Sequence, residues 1–189
     1  MGPGSPFGRP GRQARRLAGR TMTATALLWR PMTPADLPGV MSVAAEVHPG
    51  FPEDEAVFAE RLVLSPAGCL SLAGADGGLA GYVVSHPWPL LQAPALNSRL
   101  GAIPPDADAY YIHDLALLPR AQGSGAASRV VALLEEEARK AALRRMALIA
   151  VNRSAGFWQR HGFRLTHDAS LDRKLASYDD DARYMTREL

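Results

Sequence analysis

One stretch of the sequence combines a strand, a glycine-containing turn and a helix, in that order. An apolar run at residues 110–118 is short and apolar enough for a strand that is buried on both faces. Pro119 ends this strand, because proline has no amide hydrogen and fixes φ. Small residues follow at 122–127, and apolar residues then recur three or four positions apart, which predicts a helix with one buried face. The residues of that face are Val130, Val131, Leu134, Ala138 and Ala141.

This arrangement places the first turn of a helix directly after a buried strand. The first amides of a helix lack intrahelical partners, and the helix dipole adds partial positive charge there. Small residues let a ligand approach the backbone, so residues 122–127 suit a phosphate or pyrophosphate. The turn is not a Walker loop, because no Gly-Lys-Ser/Thr follows, and it lacks the full GxGxxG fingerprint. A tight connection that binds nothing is the alternative.

The same stretch resembles the acyl-CoA-binding motif of the GNAT superfamily of N-acyltransferases, Gln/Arg-x-x-Gly-x-Gly/Ala. Two registers fit: Arg120-x-x-Gly123-x-Gly125 and Gln122-x-x-Gly125-x-Ala127. We prefer the second, because family members usually leave two residues between the proline and the Gln/Arg. Residues 152–163, NRSAGFWQRHGF, resemble the second signature of the superfamily, in which an Asn and a short aromatic-bearing helix precede Gly-Phe. Two signatures in the right order are more specific than either alone.

The order of the other predicted elements agrees with this resemblance. Residues 27–30 are predicted as a first strand, 34–47 and 54–64 as helices, and 69–73 and 79–85 as a hairpin. After the central strand and helix we expect a strand at 145–151, a short helix at 154–161, a strand at 163–166 and a last strand at 184–188. The resemblance therefore implies an α/β GNAT acyl-CoA N-acyltransferase fold, with a mixed central β-sheet flanked by helices.

Composition separates a leader from one domain. The first twenty of the 189 residues contain five arginines, no acidic residue and almost no large apolar residue, so we expect residues 1–22 to be a basic, disordered leader or to precede a start near Met22. A nucleic-acid-binding tail is the alternative. Residues 23–189 are expected to form a single N-acetyltransferase domain, since 47% of the chain is hydrophobic.

Charge and cysteine content bear on partners and compartment. A net charge of +2 gives no indication of nucleic acid, and no apolar run approaches the ~20 residues that span a membrane. A single cysteine, Cys69, excludes an internal disulfide and suits a cytoplasmic location.

The connection at residues 86–108 is long and rich in proline, and it carries the apolar residues Trp88, Leu90, Leu91 and Leu96. Connections of this length are often functional, so we interpret it as a lid or wall of an acceptor pocket. The alternative is that its leucines cover one end of the core. The residues predicted to contact the acceptor are Glu46, His48, Phe51, His86, Trp88 and Tyr111.

The resemblance also implies a co-substrate, acetyl-CoA, and no metal. Its pyrophosphate is expected on the amides of residues 122–127, its thioester oxygen at a main-chain amide near Leu117, and its pantetheine arm near Asn152. The predicted cofactor-binding residues are Leu117, Leu118, Gln122, Gly123, Ser124, Gly125, Ala126, Ala127, Asn152 and Phe157. The acceptor is a small-molecule or peptide amine, and a homodimer stays open.

His113 and Asp114 are the candidate catalytic residues. The sequence His113-Asp114-Leu115 resembles the Glu-Asp-Leu of polyamine-type family members, and an imidazole with a pKa near 6.5 suits proton transfer. Strand periodicity places Tyr111 and His113 on one face with Leu115 and Leu117, and Asp114 on the opposite face. Asp114 is therefore the weaker candidate, and Glu46, His48 and His86 are alternatives for the base near the expected pocket. The alternative for His113 is a core histidine satisfied by a carbonyl or another polar group.

One departure from the family pattern affects function. Many members carry a tyrosine general acid on the short helix, and this chain has Trp158 at that place. The indole N–H only donates hydrogen bonds, so Tyr111, Tyr178, Tyr184 or water is left for that role. A non-catalytic acyl-CoA sensor is therefore the alternative function, and a nucleotide-binding domain that makes regulatory contacts through the leader is a weaker third.

Overall fold

The first half of the fold places two helices between an edge strand and a hairpin. The computed structural model describes residues 27–74, 77–169, 171, 175 and 181–189, so the predicted leader at 1–22, Tyr178 and the acidic Asp179 and Asp180 lie outside the described residues. Strand β1 (Leu28–Pro31) precedes a 3-10 turn (Pro34–Asp36) and helix α1 (Leu37–Val47). Helix α2 (Glu55–Leu64) and a 3-10 turn (Pro66–Gly68) lead to strands β2 (Cys69–Ala73) and β3 (Leu79–Trp88).

The second half contains the central strand and the helix that follows it. Strand β4 (Ala109–Leu117) and a 3-10 turn (Pro119–Ala121) precede helix α3 (Ala126–Lys140). Strand β5 (Arg145–Ala150), helix α4 (Ala155–Arg160), strand β6 (Arg164–Leu165) and strand β7 (Arg183–Glu188) follow. None of the helices among the described residues combines the length and apolar character needed to cross a membrane.

One mixed sheet organises these elements. Within the described residues, seven strands pair in the order β1-β2-β3-β4-β5-β7-β6. Every neighbouring pair is antiparallel except β4 and β5, which are parallel. A parallel pair needs a crossover, which α3 supplies. This arrangement confirms the predicted fold class.

Two apolar clusters cover opposite faces of the sheet. Alternate residues of β3 separate them, because Tyr82 and Val84 pack with α1 and α2 while Val83 packs with α3 and α4. Four residues of the predicted α3 stripe are buried: Val130, Val131, Leu134 and Ala138. Ala141 is exposed, contrary to the prediction, because α3 ends at Lys140 and Ala141 is its C-cap.

The hairpin extends further than its sequence pattern indicated. Strand β3 pairs with β4 as far as Trp88, opposite Ala109, so His86 and Trp88 belong to a strand and the connection proper is residues 89–108. The proline at position 87 concealed this extension, because proline inside a run weakens a strand prediction.

A β-bulge at His113 changes the faces that β4 presents. Val84 pairs with Asp114 and the next residue, Ser85, pairs with Ile112, so His113 has no partner on β3. After the bulge, Asp114 faces the α1 side, where its carboxylate contacts His48 and Tyr82, and Leu115 packs with the opposite cluster. The prediction that Asp114 lies opposite His113, and that His113 shares a face with Leu115 and Leu117, was therefore wrong.

The parallel pair β4–β5 separates after only three residue pairs. Pairing covers Tyr110–Met146, Tyr111–Ala147 and Ile112–Leu148, and it ends at the bulge. Among the described residues, no strand pairs with the remaining length of β4 on this side, although both strands continue. A cleft therefore opens in the sheet beside the N-terminus of α3.

Candidate active site

The cleft between β4 and β5 has a volume of about 590 Å³. One wall is β4 from Ile112 to Leu117, and the other is the end of β5 together with residues 151–154 and the α4 side chains Phe157 and Trp158. Gln122, Gly123 and Ala127 close it at the helix end. Both sequence signatures therefore border one space, although about 30 residues of chain separate them.

The turn before α3 keeps backbone amides near this space. Gly123 and Gly125 have φ of +72° and +76°, a left-handed conformation that favours glycine. Ser124 Oγ accepts the Ala126 amide at 3.3 Å and donates to Ala121 O at 2.7 Å. Gly123 and Ala127 line the cleft, whereas Ser124 holds the turn and Ala126 is buried among small residues.

Two amides of β4 face the gap that β5 leaves. The Leu118 amide donates to Ala80 O at 2.9 Å, towards β3. Because amide direction alternates along a strand, the amides of Leu115 and Leu117 point to the β5 side. Gln122 Nε2 donates to Leu117 O at 3.2 Å, which agrees with this direction. Leu118 was predicted to contact the cofactor, but its side chain is buried on the α1 face because Leu118 is one position out of phase with Leu117.

A smaller pocket of about 80 Å³ adjoins the cleft and shares five lining residues with it: His48, His113, Asp114, Ile149 and Val151. Its other walls come from Phe51, Glu53 and Tyr111, and from residues 94–96 of the long connection. His48, Phe51 and Tyr111 were predicted to contact the acceptor, and the long connection was predicted to form a wall of that pocket.

Three other predicted acceptor residues do not line this pocket. Glu46 is exposed on the outer side of α1. His86 is fully buried next to Tyr111 and His113, and burial lowers its pKa to about 3, so it is neutral. Trp88 packs edge-on against His86, with ring centroids 5.4 Å apart. His86 and Trp88 lie on β3, the strand next to β4, so they pack behind the pocket residues of β4 and do not line the pocket.

His113 contacts a carboxylate whose identity was not predicted from the sequence. Its Nε2 lies 2.8 Å from Glu53 Oε2, and both side chains are less than 10% exposed. The other oxygen of Glu53 accepts the Asn97 amide at 2.8 Å, so one carboxylate joins the central strand to the long connection. Glu53 is one of three acidic residues at 53–55, and no local pattern indicates which of them contacts His113, 60 residues further along the chain.

His48 forms a second histidine–carboxylate pair. His48 Nε2 lies 3.1 Å from Asp114 Oδ1, and Asn152 Nδ2 lies 3.0 Å from His48 Nδ1. The Tyr82 hydroxyl donates to Asp114 Oδ2 from within the core. A strand, a helix end and the second signature therefore meet in one hydrogen-bonded group.

Burial and charge act in opposite directions on the pKa values of this pair. Burial alone would lower the pKa of His48, but the hydrogen bond and charge of Asp114 outweigh it and raise that pKa above its ordinary value. Burial would likewise raise the pKa of Asp114, yet the hydrogen bonds from His48 and Tyr82 lower it. Burial raises the pKa of the Tyr82 hydroxyl far above 10, so it stays protonated.

Trp158 lies in the cleft wall, at the position where many members of the family that the sequence resembles carry a tyrosine general acid. It is 6% exposed and packs edge-on between Phe157 and Phe163, with ring centroids 4.9 and 5.3 Å apart. Of the alternative tyrosines, Tyr111 lines the smaller pocket. Tyr184 is buried and accepts the Leu91 amide at 3.0 Å, and burial raises its pKa to about 12.

A metal site is not evident in the part of the chain that the structure describes, where no group of three or more His, Cys, Asp or Glu side chains is arranged to hold an ion. The polar groups of the site instead form the two histidine–carboxylate pairs. The site therefore combines main-chain amide donors with a cleft and a smaller pocket, and the two histidine–carboxylate pairs lie where the cleft and the pocket meet.

Comparison with known proteins relates this geometry to one family. The model of the Acetyltransferase (GNAT) family matches residues 28–163, which include both signatures. No curated protein matches the sequence.

Solved structures share the fold at low sequence identity. Ard1 from Thermoplasma volcanium is 17% identical with a TM-score of 0.67, and the match covers 87% of this chain and 98% of that one. The GphF GNAT-like decarboxylase in complex with isobutyryl-CoA is 18% identical with a TM-score of 0.70, covering 85% and 98%. A chain of the NatC complex bound to Gag peptide and CoA is 15% identical with a TM-score of 0.65, covering 86% and 98%.

Proposed function

The chain belongs to the GNAT acetyltransferase family, and from this premise we propose that it transfers an acetyl group from acetyl-CoA to an amine by direct attack within a ternary complex. The observation that carries the proposal is the meeting of the two spaces at His113. An elongated cleft with main-chain donors adjoins a small pocket, and proton-accepting side chains line both.

The cleft has the features that an acyl-CoA needs. Amides at the N-terminus of a 15-residue helix suit the pyrophosphate, since the helix dipole favours negative charge there. Phe157 and Trp158 offer apolar surface to the pantetheine arm, and the amides of Leu115 and Leu117 are donors for the thioester oxygen. Two of the similar structures hold CoA or an acyl-CoA.

The acceptor must lose a proton before it attacks. An alkyl ammonium has a pKa of ~10.4, so most of the amine arrives charged at neutral pH. We assign proton removal to His113. Glu53 accepts the Nε2–H of His113 and so leaves Nδ1 as the ring nitrogen that takes a proton. The neutral amine then attacks the thioester carbonyl, and the oxyanion forms beside the β4 amides. When the oxyanion collapses, the C–S bond breaks, and the cationic nitrogen of the intermediate loses its second proton, through water or Tyr111, to the departing CoA thiolate.

His48 is less suited to be the base. The amide nitrogen of Asn152 donates to His48 Nδ1, and His48 Nε2 lies 3.1 Å from Asp114 Oδ1, so one ring nitrogen is occupied and the other faces a carboxylate. We assign this pair to the positioning of Asn152 and to the negative charge that attracts the acceptor ammonium.

A second function, acyl-CoA sensing without transfer, is supported by Trp158. The cleft wall carries an indole at the place where many relatives carry an acidic hydroxyl, and the indole has no proton to transfer to the leaving thiolate. Transfer then depends on water or Tyr111 for that proton, whereas sensing needs neither.

Turnover distinguishes the two functions. The chain is incubated with acetyl-CoA and one amine at a time, drawn from peptides, lysine, polyamines, aminoglycosides and small alkylamines, while thiol release is followed and products are identified by mass spectrometry. Acyl transfer predicts acceptor-dependent release of CoA with an acetylated amine. Saturable CoA binding without turnover on any acceptor would support the sensor, and absence of CoA binding would contradict both functions.

A further inference from the structure

The smaller pocket has a composition that selects among amines. We propose that the acceptor is a small monoamine with an apolar, uncharged body and no carboxylate, such as a short branched alkylamine. This inference rests on the proposed acyl transfer, and it concerns the space bounded by Phe51, Glu53, His113, residues 94–96 and the end of β5.

The size of the pocket limits the acceptor. Its volume is about 80 Å³, and one water-sized probe needs roughly 10–15 Å³, so about five to eight heavy atoms fit. A polyamine, an aminoglycoside or several residues of a peptide would extend beyond it.

The wall formed by residues 94–96 is held firmly, so the pocket cannot widen without breaking several polar contacts. Glu53 accepts the Asn97 amide, and Asn97 Oδ1 accepts the Asp54 amide, each at 2.8 Å. Beyond this point, Arg61 donates to Ser98 O at 2.8 Å, and Glu60 accepts the amides of Leu100 and Gly101. The connection is therefore fastened to α2 and to the segment before it at residues 97–101, directly after the wall residues 94–96.

The charges in the pocket are unfavourable for a carboxylate. Of the described residues that line it, none is a lysine or an arginine, while Glu53 and Asp114 are both acidic. With neutral histidines the two pairs carry a net charge of −2, and with both histidines protonated the charges only cancel. Arg61 is fully buried behind the wall and engaged by Glu60 at 2.7 Å, so it cannot reach an acceptor. A free amino acid would bring its carboxylate to two acids without a counter-ion.

The apolar walls disfavour a second positive charge. Phe51 and Leu96 lie on one side, and Ile149 and Val151 lie on the other. One ammonium reaches Glu53 and Asp114 where the pocket meets the cleft. A second ammonium on the same small molecule would lose its hydration against apolar side chains without gaining a counter-ion. Branched alkyl groups gain roughly 25 cal/mol for each Å² of apolar surface that they bury there.

Three amines of similar size test the proposal. Isoamylamine, leucine and 1,5-diaminopentane are each supplied with acetyl-CoA, together with a short peptide that begins with leucine. The proposal predicts a kcat/KM for isoamylamine that is at least about 10²-fold higher than for the other three, which corresponds to about 2.7 kcal/mol. A preference for leucine, the diamine or the peptide would overturn it and leave acyl transfer intact. Absence of turnover with all four amines would overturn the proposal, and the wider amine panel described above would then decide whether acyl transfer itself fails.

A matched pair of variants tests the charge argument. Leu96→Arg places a guanidinium in the pocket wall, and Leu91→Arg places one at an equally exposed leucine of the same connection that does not line the pocket; the two leucines are 39% and 38% exposed. We expect Leu96→Arg to shift the ratio of kcat/KM for leucine over isoamylamine upward by tenfold or more, and Leu91→Arg to leave it unchanged. Equal ratios in both variants would contradict the argument.

Discussion

At the scale of single residues, two histidines are each held by a carboxylate where the cleft meets the pocket. The bulge at His113 makes this possible, because it turns His113 and Asp114 towards the same side of the sheet. The contacts of the two histidine rings differ. Glu53 contacts one ring nitrogen of His113 and leaves the other available, whereas Asn152 donates to one nitrogen of His48 and Asp114 faces the other.

The first prediction concerns the base. His113→Ala is expected to lower kcat by ~10²–10⁴-fold with little change in CoA affinity, because only proton transfer is lost. Glu53→Gln keeps a hydrogen-bond acceptor for His113 Nε2 but removes the negative charge beside the ring. We therefore expect a smaller loss of kcat in Glu53→Gln than in His113→Ala. His167→Ala is the control, since His167 lines neither space. A His113→Ala enzyme at full rate would exclude His113 as the base.

The second prediction concerns stability and pH. The pKa of His48 is raised in the folded protein, so its contribution is fully present below pH ~6.5 and is lost as the pH rises through the raised value. The pKa of Asp114 is lowered, so its contribution is present above pH ~3.9. Asp114→Asn should therefore reduce the free energy of unfolding more at pH 6 than at pH 9, by about 1.5–3 kcal/mol at the lower pH. Urea denaturation at both values measures this, and an equal loss at both would show that the pair carries no charge-dependent stability.

The third prediction concerns the anion site. Ala127 lies in the first turn of α3 and lines the cleft, so Ala127→Glu places a carboxylate where the pyrophosphate is expected. The same charge stabilises a helix N-terminus, so the fold should not suffer. We expect CoA affinity to fall by tenfold or more, measured by calorimetry. Ala132→Glu, on the exposed face of the same helix, is the matched control. Equal affinity in the two variants would contradict a pyrophosphate at residues 122–127.

At the scale of elements, the sequence patterns predicted the strands and helices better than the details that build the site. The helices, the hairpin and the central strand follow from periodicity and from proline or glycine at their ends. The bulge cannot be predicted from periodicity, because a two-residue period assumes that every residue of β4 pairs with β3 in turn. The side of the sheet that Asp114 faces was therefore predicted wrongly. Glu53 was missed because its partner lies on another element and nothing local distinguishes it from Asp54 or Glu55.

The fourth prediction concerns the fit of a 3-10 turn against β3 and β4. A Cβ on Gly68 would lie 2.2 Å from Ser85 O and 2.6 Å from the Tyr110 hydroxyl, and Ser85 is next to the bulge. Gly68→Ala should lower the free energy of unfolding by about 1–3 kcal/mol, because backbone has to move. Gly50→Ala is the control, since a Cβ there meets nothing within 4 Å. Thermal denaturation of both variants measures the difference, and similar melting temperatures would show that the turn accommodates the methyl group.

At the scale of the whole molecule, one interruption of the sheet organises function. Strands β4 and β5 are buried on both faces and parallel, yet they stay paired for only three residue pairs. The gap places the second signature, at residues 152–163, beside the β4 amides and the N-terminus of α3, which lie earlier in the chain. The fold therefore supplies the cleft, and in the proposed function the side chains of the adjoining pocket select the acceptor.

The most direct test of this account is a titration of the ¹⁵N-labelled chain with coenzyme A, followed by backbone amide NMR. The account predicts saturable shifts at the amides of Leu115, Leu117 and residues 122–127, and no comparable shifts at residues 139–144, at the other end of α3. Unchanged amides at those positions, or saturable shifts confined to another face of the molecule, would contradict it.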